Sequence, residues 1–134
     1  CTFETNCIVL APRGINGQTG VTRVGNGVMI HLKAEVSHDC VIEDGVAVNG
    51  ELAGFCHLMQ HVKVSKGSVF HQFTTVGTGA FLAMTAKVRY DVLPWCMFDE
   101  QATVIDRVAL GRLGRANEEA DELDAFYMEH FSSE

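Results

Sequence analysis

The chain has 134 residues, of which 47% are hydrophobic, and its formal net charge is −7. This length predicts a single domain with enough apolar residues to form a core. The acidic balance argues against a nucleic-acid-binding surface, which normally needs a basic patch. We expect no membrane span, because no apolar run approaches the ~20 residues required, and no secretion signal, because no basic segment followed by an apolar one opens the chain.

The cysteines are odd in number and scattered, and they form no C-x-x-C pair. They are Cys1, Cys7, Cys40, Cys56 and Cys96. A zinc knuckle or a thioredoxin-like motif is therefore not expected. Free thiols are typical of a reducing compartment, which predicts a cytoplasmic protein.

The first elements of the chain are a short apolar strand and a loop. Residues 8–10 predict the strand, and residues 12–21 contain three glycines. Because glycine favours tight turns, we expect residues 12–21 to project from the fold. The loop is either a plain surface turn or a flap over a site or against a neighbouring subunit.

From Val24 onward, apolar residues recur at every sixth position, and all of them except Phe70 are aliphatic. Neither an amphipathic helix nor a half-buried strand explains this period. The two series are Val24, Ile30, Val36, Ile42 and Val48, and then Leu52, Leu58, Val64, Phe70, Val76, Leu82 and Val88. Hexapeptide repetition is typical of a parallel β-helix, in which each short strand gives one side chain to a stacked interior. An ordinary β-sandwich is the alternative, but it would show alternation with a period of two.

The length of the repeat region predicts about four coils, because three hexads make one roughly triangular coil. The series slips by two residues between Val48 and Leu52, which we interpret as a tightened corner. We place the end of the repeats at Pro94, since proline cannot donate to a central ladder. The predicted β-helix therefore occupies residues 1–95, with residues 12–21 projecting from it.

The pattern changes in residues 96–134, which we interpret as a C-terminal extension. Ala120, Leu123 and Tyr127 fall at helical spacing and predict a short helix over about residues 117–130. Asn117 is a suitable N-cap for this helix, and acidic residues follow it in the first turn. The helix is expected to cap the last coil or to pack on its flank.

The histidines are candidates for a general base, because imidazole titrates near neutral pH. They are His31, His38, His57, His61, His71 and His130. His38 and His71 closely follow inward-facing residues of the hexad series, so both are expected to project from the coil. His57 and His61 are four residues apart, which suits a metal pair on a helix, but this stretch is predicted to be solenoid.

Several short motifs resemble one family. They are T-R-V-G at 22–25, A-E-V-S-H-D-C at 34–40, L-A-G at 52–54, H-Q-F at 71–73 and D-V-x-P at 91–94. In this order and spacing they are similar to the acyl-[acyl-carrier-protein]–UDP-N-acetylglucosamine O-acyltransferases of lipid A biosynthesis. The resemblance covers roughly residues 8–116, and it implies a left-handed parallel β-helix of hexapeptide repeats.

The resemblance also implies roles for individual residues. His38 corresponds to the general base that takes the proton from a sugar hydroxyl, and Asp39 to the acidic neighbour that supports it. Gly54 corresponds to the glycine whose backbone N–H stabilises the oxyanion, and His71 and Gln72 correspond to substrate-contacting positions. The implied partners are acyl carrier protein or a coenzyme A thioester, a UDP-amino-sugar and two further copies of the chain in a homotrimer. No cofactor or metal is implied.

Some positions depart from the family pattern. Glu35, Phe55 and Pro12 each stand where the family has a histidine. Met84 stands at the position that limits acyl-chain length, where a small residue leaves room for a long chain, so we expect a shortened or blocked acyl slot. The family's first coils are absent, and its nucleotide-binding arginines are only loosely echoed around residues 111–115.

Three functions stay open from the sequence. The first is an acyltransferase with a histidine base, which the combination of His38, Asp39, Gly54 and His71 favours. The second is a non-catalytic trimeric β-helix acting as a binding or structural module, which the replaced histidines favour. The third is a metal site between subunits like that of the γ-class carbonic anhydrases, using His57 and His61.

Overall fold

The structure is a computed structural model that describes residues 1–100, 102–115 and 117–131. Residues 101, 116 and 132–134 of the predicted C-terminal extension lie outside the described residues. The division into a β-helix of residues 1–95 and an extension of residues 96–134 stays a prediction.

Short strands dominate the described part of the chain. The two-residue strands are β1 Thr2–Phe3, β2 Ile8–Val9, β3 Arg23–Val24, β4 Met29–Ile30, β5 Glu35–Val36, β6 Val41–Ile42, β7 Ala47–Val48, β8 Glu51–Leu52, β9 His57–Leu58, β10 Lys63–Val64, β11 Val69–Phe70, β12 Thr75–Val76, β13 Phe81–Leu82 and β14 Lys87–Val88. They are followed by β15 Cys96–Asp99, β16 Ala102–Ile105, the helix α1 Arg107–Arg112 and the helix α2 Asn117–Phe131.

The strands form the three faces of a solenoid. Sheet I has the order β1-β4-β7-β10-β13-β15-β16, sheet II the order β14-β11-β8-β5-β2 and sheet III the order β12-β9-β6-β3. From β1 to β14, strands three places apart along the chain pair in parallel, as β4 does with β7, so each of these coils adds one strand to each sheet. The predicted β-helix of about four coils followed by a C-terminal helix is confirmed.

The second residue of each strand from β4 to β14 points into the interior, because successive side chains of a strand point to opposite faces. The residues of the hexad series from Ile30 to Val88 are at most 5% exposed, and Val24 packs partly buried against them. Burying one such side chain is worth about 1.5–3 kcal/mol relative to leaving it exposed. The hexad spacing therefore identified one buried series of the core, and a second series that includes Val28, Cys40 and Val62 lies two residues before it.

The slip in the series is also present as a shortened corner. Ala47 pairs with Lys63, sixteen positions on, whereas Glu51 pairs with Val69, eighteen positions on. The chain passes from β7 to β8 through Asn49 and Gly50 alone. A Cβ on Gly50 would lie 2.3 Å from the Ser68 carbonyl oxygen, so this tight corner requires glycine.

One further parallel strand follows Pro94. After a second shortened step, Val92 forms a parallel bridge with Val76. β15 then pairs in parallel with β13, with Met97 opposite Phe81. Pro94 lies at the corner before β15, where no ladder hydrogen bond is required of it.

The C-terminal elements pack on the last coil. β16 runs antiparallel to β15, and Leu110 of α1 and Ala120 of α2 are buried. The Tyr127 hydroxyl donates to the Pro94 carbonyl oxygen at 3.1 Å, which ties α2 to the final corner. No helix in the described ranges is long and apolar enough to cross a membrane.

Candidate active site

The candidate residues other than Met84 lie at one edge of the solenoid, where the chain passes from sheet II to sheet III. Val41 is opposite His57, and His57 is opposite Thr75. Counting back three residues along each coil brings His38, Gly54 and Gln72 into one column. We call this edge, formed by residues 37–40, 53–56 and 71–74, the site corner.

His38 and Asp39 form a hydrogen-bonded pair at the site corner. His38 Nδ1 lies 2.8 Å from Asp39 Oδ2, and the two side chains are 19% and 3% exposed. Because an ionised carboxylate only accepts, Nδ1 is the protonated nitrogen, and Nε2 of the neutral ring is left as a proton acceptor. This is the arrangement that a general base needs.

Asp39 also holds the loop of residues 12–21. Its carboxylate accepts the backbone N–H groups of Arg13 at 3.0 Å and of Gly14 at 3.1 Å. Its own backbone N–H donates to Thr22 Oγ1 at 2.8 Å. The loop therefore returns to the site corner and covers the buried side of the carboxylate.

These contacts keep Asp39 ionised. Burial acts to raise the pKa of the Asp39 carboxyl, but the hydrogen bonds from the Arg13 N–H, the His38 ring and the Gly14 N–H outweigh it. The pKa of Asp39 consequently lies below its ordinary value. A carboxylate in this state accepts the Nδ1 proton of His38 and orients its imidazole.

Gly54 provides the space in which the His38 ring lies. A Cβ at position 54 would be 2.6 Å from His38 Cε1 and 2.8 Å from Nε2, closer than such atoms approach. Among the described residues, the structure gives the Gly54 N–H no hydrogen-bond acceptor. Position 54 thus combines a close approach to the imidazole with a backbone donor that is available to a ligand.

His71 and Gln72 share the site corner one coil further along. His71 is exposed, and its Nδ1 lies 3.2 Å from the Gln72 carbonyl oxygen. The His71 carbonyl oxygen accepts a hydrogen bond from the Thr74 hydroxyl at 2.7 Å, which stabilises the turn of residues 71–74. Both side chains are exposed at the same corner as His38, and their substrate-contacting role stays a prediction.

Met84 does not belong to the site corner. It follows β13 of sheet I and precedes β14 of sheet II, so it lies at the next edge of the solenoid. Its side chain is 71% exposed and borders a cavity of about 250 Å³ with Thr85, Ala86, Asp99 and Glu100. Within one chain, the full width of sheet II separates Met84 from His38.

The positions that depart from the family pattern have structural partners. Glu35 Oε1 accepts the Ser37 hydroxyl at 3.2 Å. Phe55 packs against the His38 ring with a centroid distance of 5.3 Å, and it stacks on Phe73. Pro12 opens the loop that Asp39 anchors.

Sequence reasoning did not identify the contacts of Phe73 and Thr22. Phe73 belongs to the H-Q-F motif and Thr22 to the T-R-V-G motif, but the resemblance implies no role for either residue. The strand register would have identified Phe73, because it takes the same place in its corner as Asp39 and Phe55.

The histidines considered for a metal site lie elsewhere. His57 Nε2 is 2.6 Å from Glu43 Oε1 on the outer face of sheet III. His61 lies at the edge between sheets III and I. In the parts of the chain that the structure describes, no three His, Cys, Asp or Glu side chains are grouped to hold a metal ion.

A separate cavity of about 470 Å³ lies between the outer face of sheet I and α1. Its lining includes Phe81, Trp95, Met97 and Val108, and none of the residues of the site corner. This cavity is therefore separate from the His38 pair.

Comparisons with known proteins place this geometry in context. No protein-family model matches the chain. An acyl-[acyl-carrier-protein]–UDP-N-acetylglucosamine O-acyltransferase of Paracoccus denitrificans is 32% identical over 114 residues, which are 84% of this chain and 44% of that protein. The chain spans about half the length of the curated relatives it matches.

Two solved structures have the same fold. The UDP-N-acetylglucosamine acyltransferase of Francisella novicida superposes with a TM-score of 0.80 at 30% identity, covering 95% of this chain and 48% of that one. LpxA of Acinetobacter baumannii superposes with a TM-score of 0.84 at 22% identity, covering 96% of this chain and 51% of that one.

Proposed function

This chain is homologous to the acyl-[acyl-carrier-protein]–UDP-N-acetylglucosamine O-acyltransferases over about half of their length, and from that premise we propose that it is itself an acyltransferase. It transfers an acyl group from a thioester of acyl carrier protein or coenzyme A to a hydroxyl of a UDP-amino-sugar. The observation that carries this proposal is the His38–Asp39 pair, which lies over Gly54 with Nε2 free to accept a proton.

The reaction follows from these groups. His38 Nε2 removes the proton from the acceptor hydroxyl, and the oxygen attacks the thioester carbonyl carbon. The resulting oxyanion is stabilised by the Gly54 N–H, a kind of interaction worth about 3 kcal/mol in other enzymes. When the C–S bond breaks, the imidazolium returns its proton to the leaving thiolate, while Asp39 stabilises the charged ring.

The site also supports the proposal of a homotrimer. His38, Gly54 and Gln72 lie on an open edge of one chain, so a neighbouring copy would be needed to enclose the substrates. Met84 lies at a different edge, and we propose that it meets the acyl chain either across sheet II or from an adjacent subunit. The free thiols Cys40, Cys56 and Cys96 suit a reducing compartment, which supports a cytoplasmic location.

The alternative is a non-catalytic binding or structural module built on the same solenoid. It is favoured by Glu35, which is hydrogen-bonded to Ser37, and by Phe55, which presents no polar group where the resembled family has a histidine. In that case His38 and Asp39 would serve only to anchor the loop of residues 12–21.

One assay separates the two functions. Purified protein is incubated with UDP-N-acetylglucosamine and acyl thioesters of graded length, and the acylated sugar is quantified for wild type and for His38→Ala. General-base catalysis predicts a loss of about 10²–10⁴-fold in the variant. His31→Ala is the matched control, because His31 contacts Glu4 at 3.4 Å at another edge of the solenoid. Turnover that persists in His38→Ala would contradict the proposed base, and no turnover with any thioester would favour the module.

A further inference from the structure

The His38 ring has an aromatic neighbour that the reaction scheme does not use. Phe55 meets it at a centroid distance of 5.3 Å with the two ring planes at 89°. Phe73 stacks on Phe55 at 4.7 Å with the planes only 8° apart. The three side chains His38, Phe55 and Phe73 form a continuous row of rings along the solenoid axis, which we call the ring row.

The backbone fixes the place of both phenylalanines. Their φ angles are 62° and 63°, close to the 60° of Asp39 in the preceding corner. Bulky residues are uncommon in this left-handed region. The stacking distance of 4.7 Å matches the spacing of neighbouring strands, so the Phe73 ring stands directly above the Phe55 ring of the coil before it.

The other contacts of His38 leave one motion unrestrained. The hydrogen bond from Nδ1 to Asp39 Oδ2 fixes one atom of the imidazole. The ring also lies close to Gly54, which limits its movement toward the next coil. Neither contact stops the ring from tilting about that hydrogen bond. Phe55 is the side chain that the structure places in perpendicular aromatic contact with the ring.

We propose that Phe55 is a positioning residue for the base, and that Phe73 acts on the base through Phe55. The perpendicular contact holds the imidazole at the angle at which Nε2 faces the acceptor hydroxyl, and the stack keeps Phe55 at its own angle. The inference rests on the proposed function for its catalytic consequence, whereas the contact between the rings is a property of the protein without substrate.

The row predicts a graded response. An aromatic pair stabilises the aligned orientation of the His38 ring. Its loss is expected to lower the population of that orientation by about 2- to 12-fold. We therefore expect Phe55→Leu to lower kcat by that factor with little change in KM, because the substrate contacts remain. Phe73→Leu should lower kcat in the same direction by less, and Phe55→Tyr, which keeps the ring, should restore most of the rate.

The matched control is Phe126→Leu, which removes an exposed aromatic residue that stacks on His130 at 4.2 Å in α2. It is expected to leave kcat unchanged. Each variant is also examined by NMR of the imidazole nitrogens of His38, since a tilted ring alters the Nδ1 proton signal without any substrate. Oligomeric state is measured for each by sedimentation.

The outcomes separate this inference from the proposed function. If the wild type shows no turnover but Phe55→Leu shifts the His38 signals and Phe126→Leu does not, the proposed function fails while the positioning contact is supported. If the wild type is active and Phe55→Leu keeps both kcat and the His38 signals, the positioning role is overturned and the function stands. A loss that appears only in KM, or only as a changed oligomeric state, also overturns it.

Discussion

Replacement of Gly54 by alanine tests the geometry of the base directly. Gly54 does not have a positive φ, so alanine fits its backbone without strain. The new Cβ would lie 2.6 Å from His38 Cε1, and ordinary contact begins at 3.4 Å, so the imidazole must move by roughly 0.8 Å. A misplacement of about 1 Å in a catalytic group can cost about 10²-fold in rate.

We therefore expect Gly54→Ala to fold normally and to lose about 10²-fold in kcat. The assay measures acyl transfer to UDP-N-acetylglucosamine, with thermal unfolding as the check on folding. Gly111→Ala is the matched control, because a Cβ there meets nothing within 4 Å, and alanine in α1 should raise stability by about 0.5–1 kcal/mol. Wild-type kcat in Gly54→Ala would refute the placement of the His38 ring over this glycine.

Three further perturbations follow from the described contacts. Asp39→Asn should reduce kcat, and it should make the stability of the fold less sensitive to acid. The pKa of the Asp39 carboxyl is lowered on folding. The stabilisation that the ionised carboxylate provides is therefore present above its ordinary pKa and is lost as the pH falls through its pKa in the folded protein. Thermal unfolding at about pH 7 and about pH 3 checks this sign, and an equal loss of stability on acidification in both proteins would contradict it. Met84→Gly should shift the preferred thioester to a longer acyl chain, measured with the graded series, and an unchanged preference would remove Met84 from the acyl path. Leu58→Ala should destabilise the protein by about 2–5 kcal/mol in denaturant titrations, because Leu58 is fully buried between coils; a loss below about 1 kcal/mol would contradict its place in the core.

The interior of the solenoid could be predicted because it depends on a local period. Each inward side chain, such as Ile42 or Leu58, is specified by its spacing from the one before it, and burial follows at once. The strand that follows Pro94 could not be predicted in this way. Pro94 forbids a ladder hydrogen bond only inside a strand, and whether it lies in a strand or at a corner depends on the shortened step to Val92.

The site was less accessible to sequence reasoning, because its contacts join residues that are distant along the chain. The resemblance placed His38 and Asp39 side by side, and the structure shows the hydrogen bond between them. It did not indicate that Arg13 and Gly14 would donate backbone groups to the same carboxylate. Such bonds depend on main-chain N–H groups, which every residue except proline carries, so composition leaves no sign of them.

The hydrogen bonds of Asp39 have a thermodynamic consequence. The Asp39 carboxylate accepts hydrogen bonds from the His38 ring and from two backbone amides of the loop of residues 12–21. The position of the loop and the orientation of the imidazole are therefore energetically coupled through this one group. Coupling of this kind is reciprocal. A ligand or neighbouring subunit that favours the closed loop must raise the population of the oriented base, and a substrate that favours the oriented base must close the loop to the same degree.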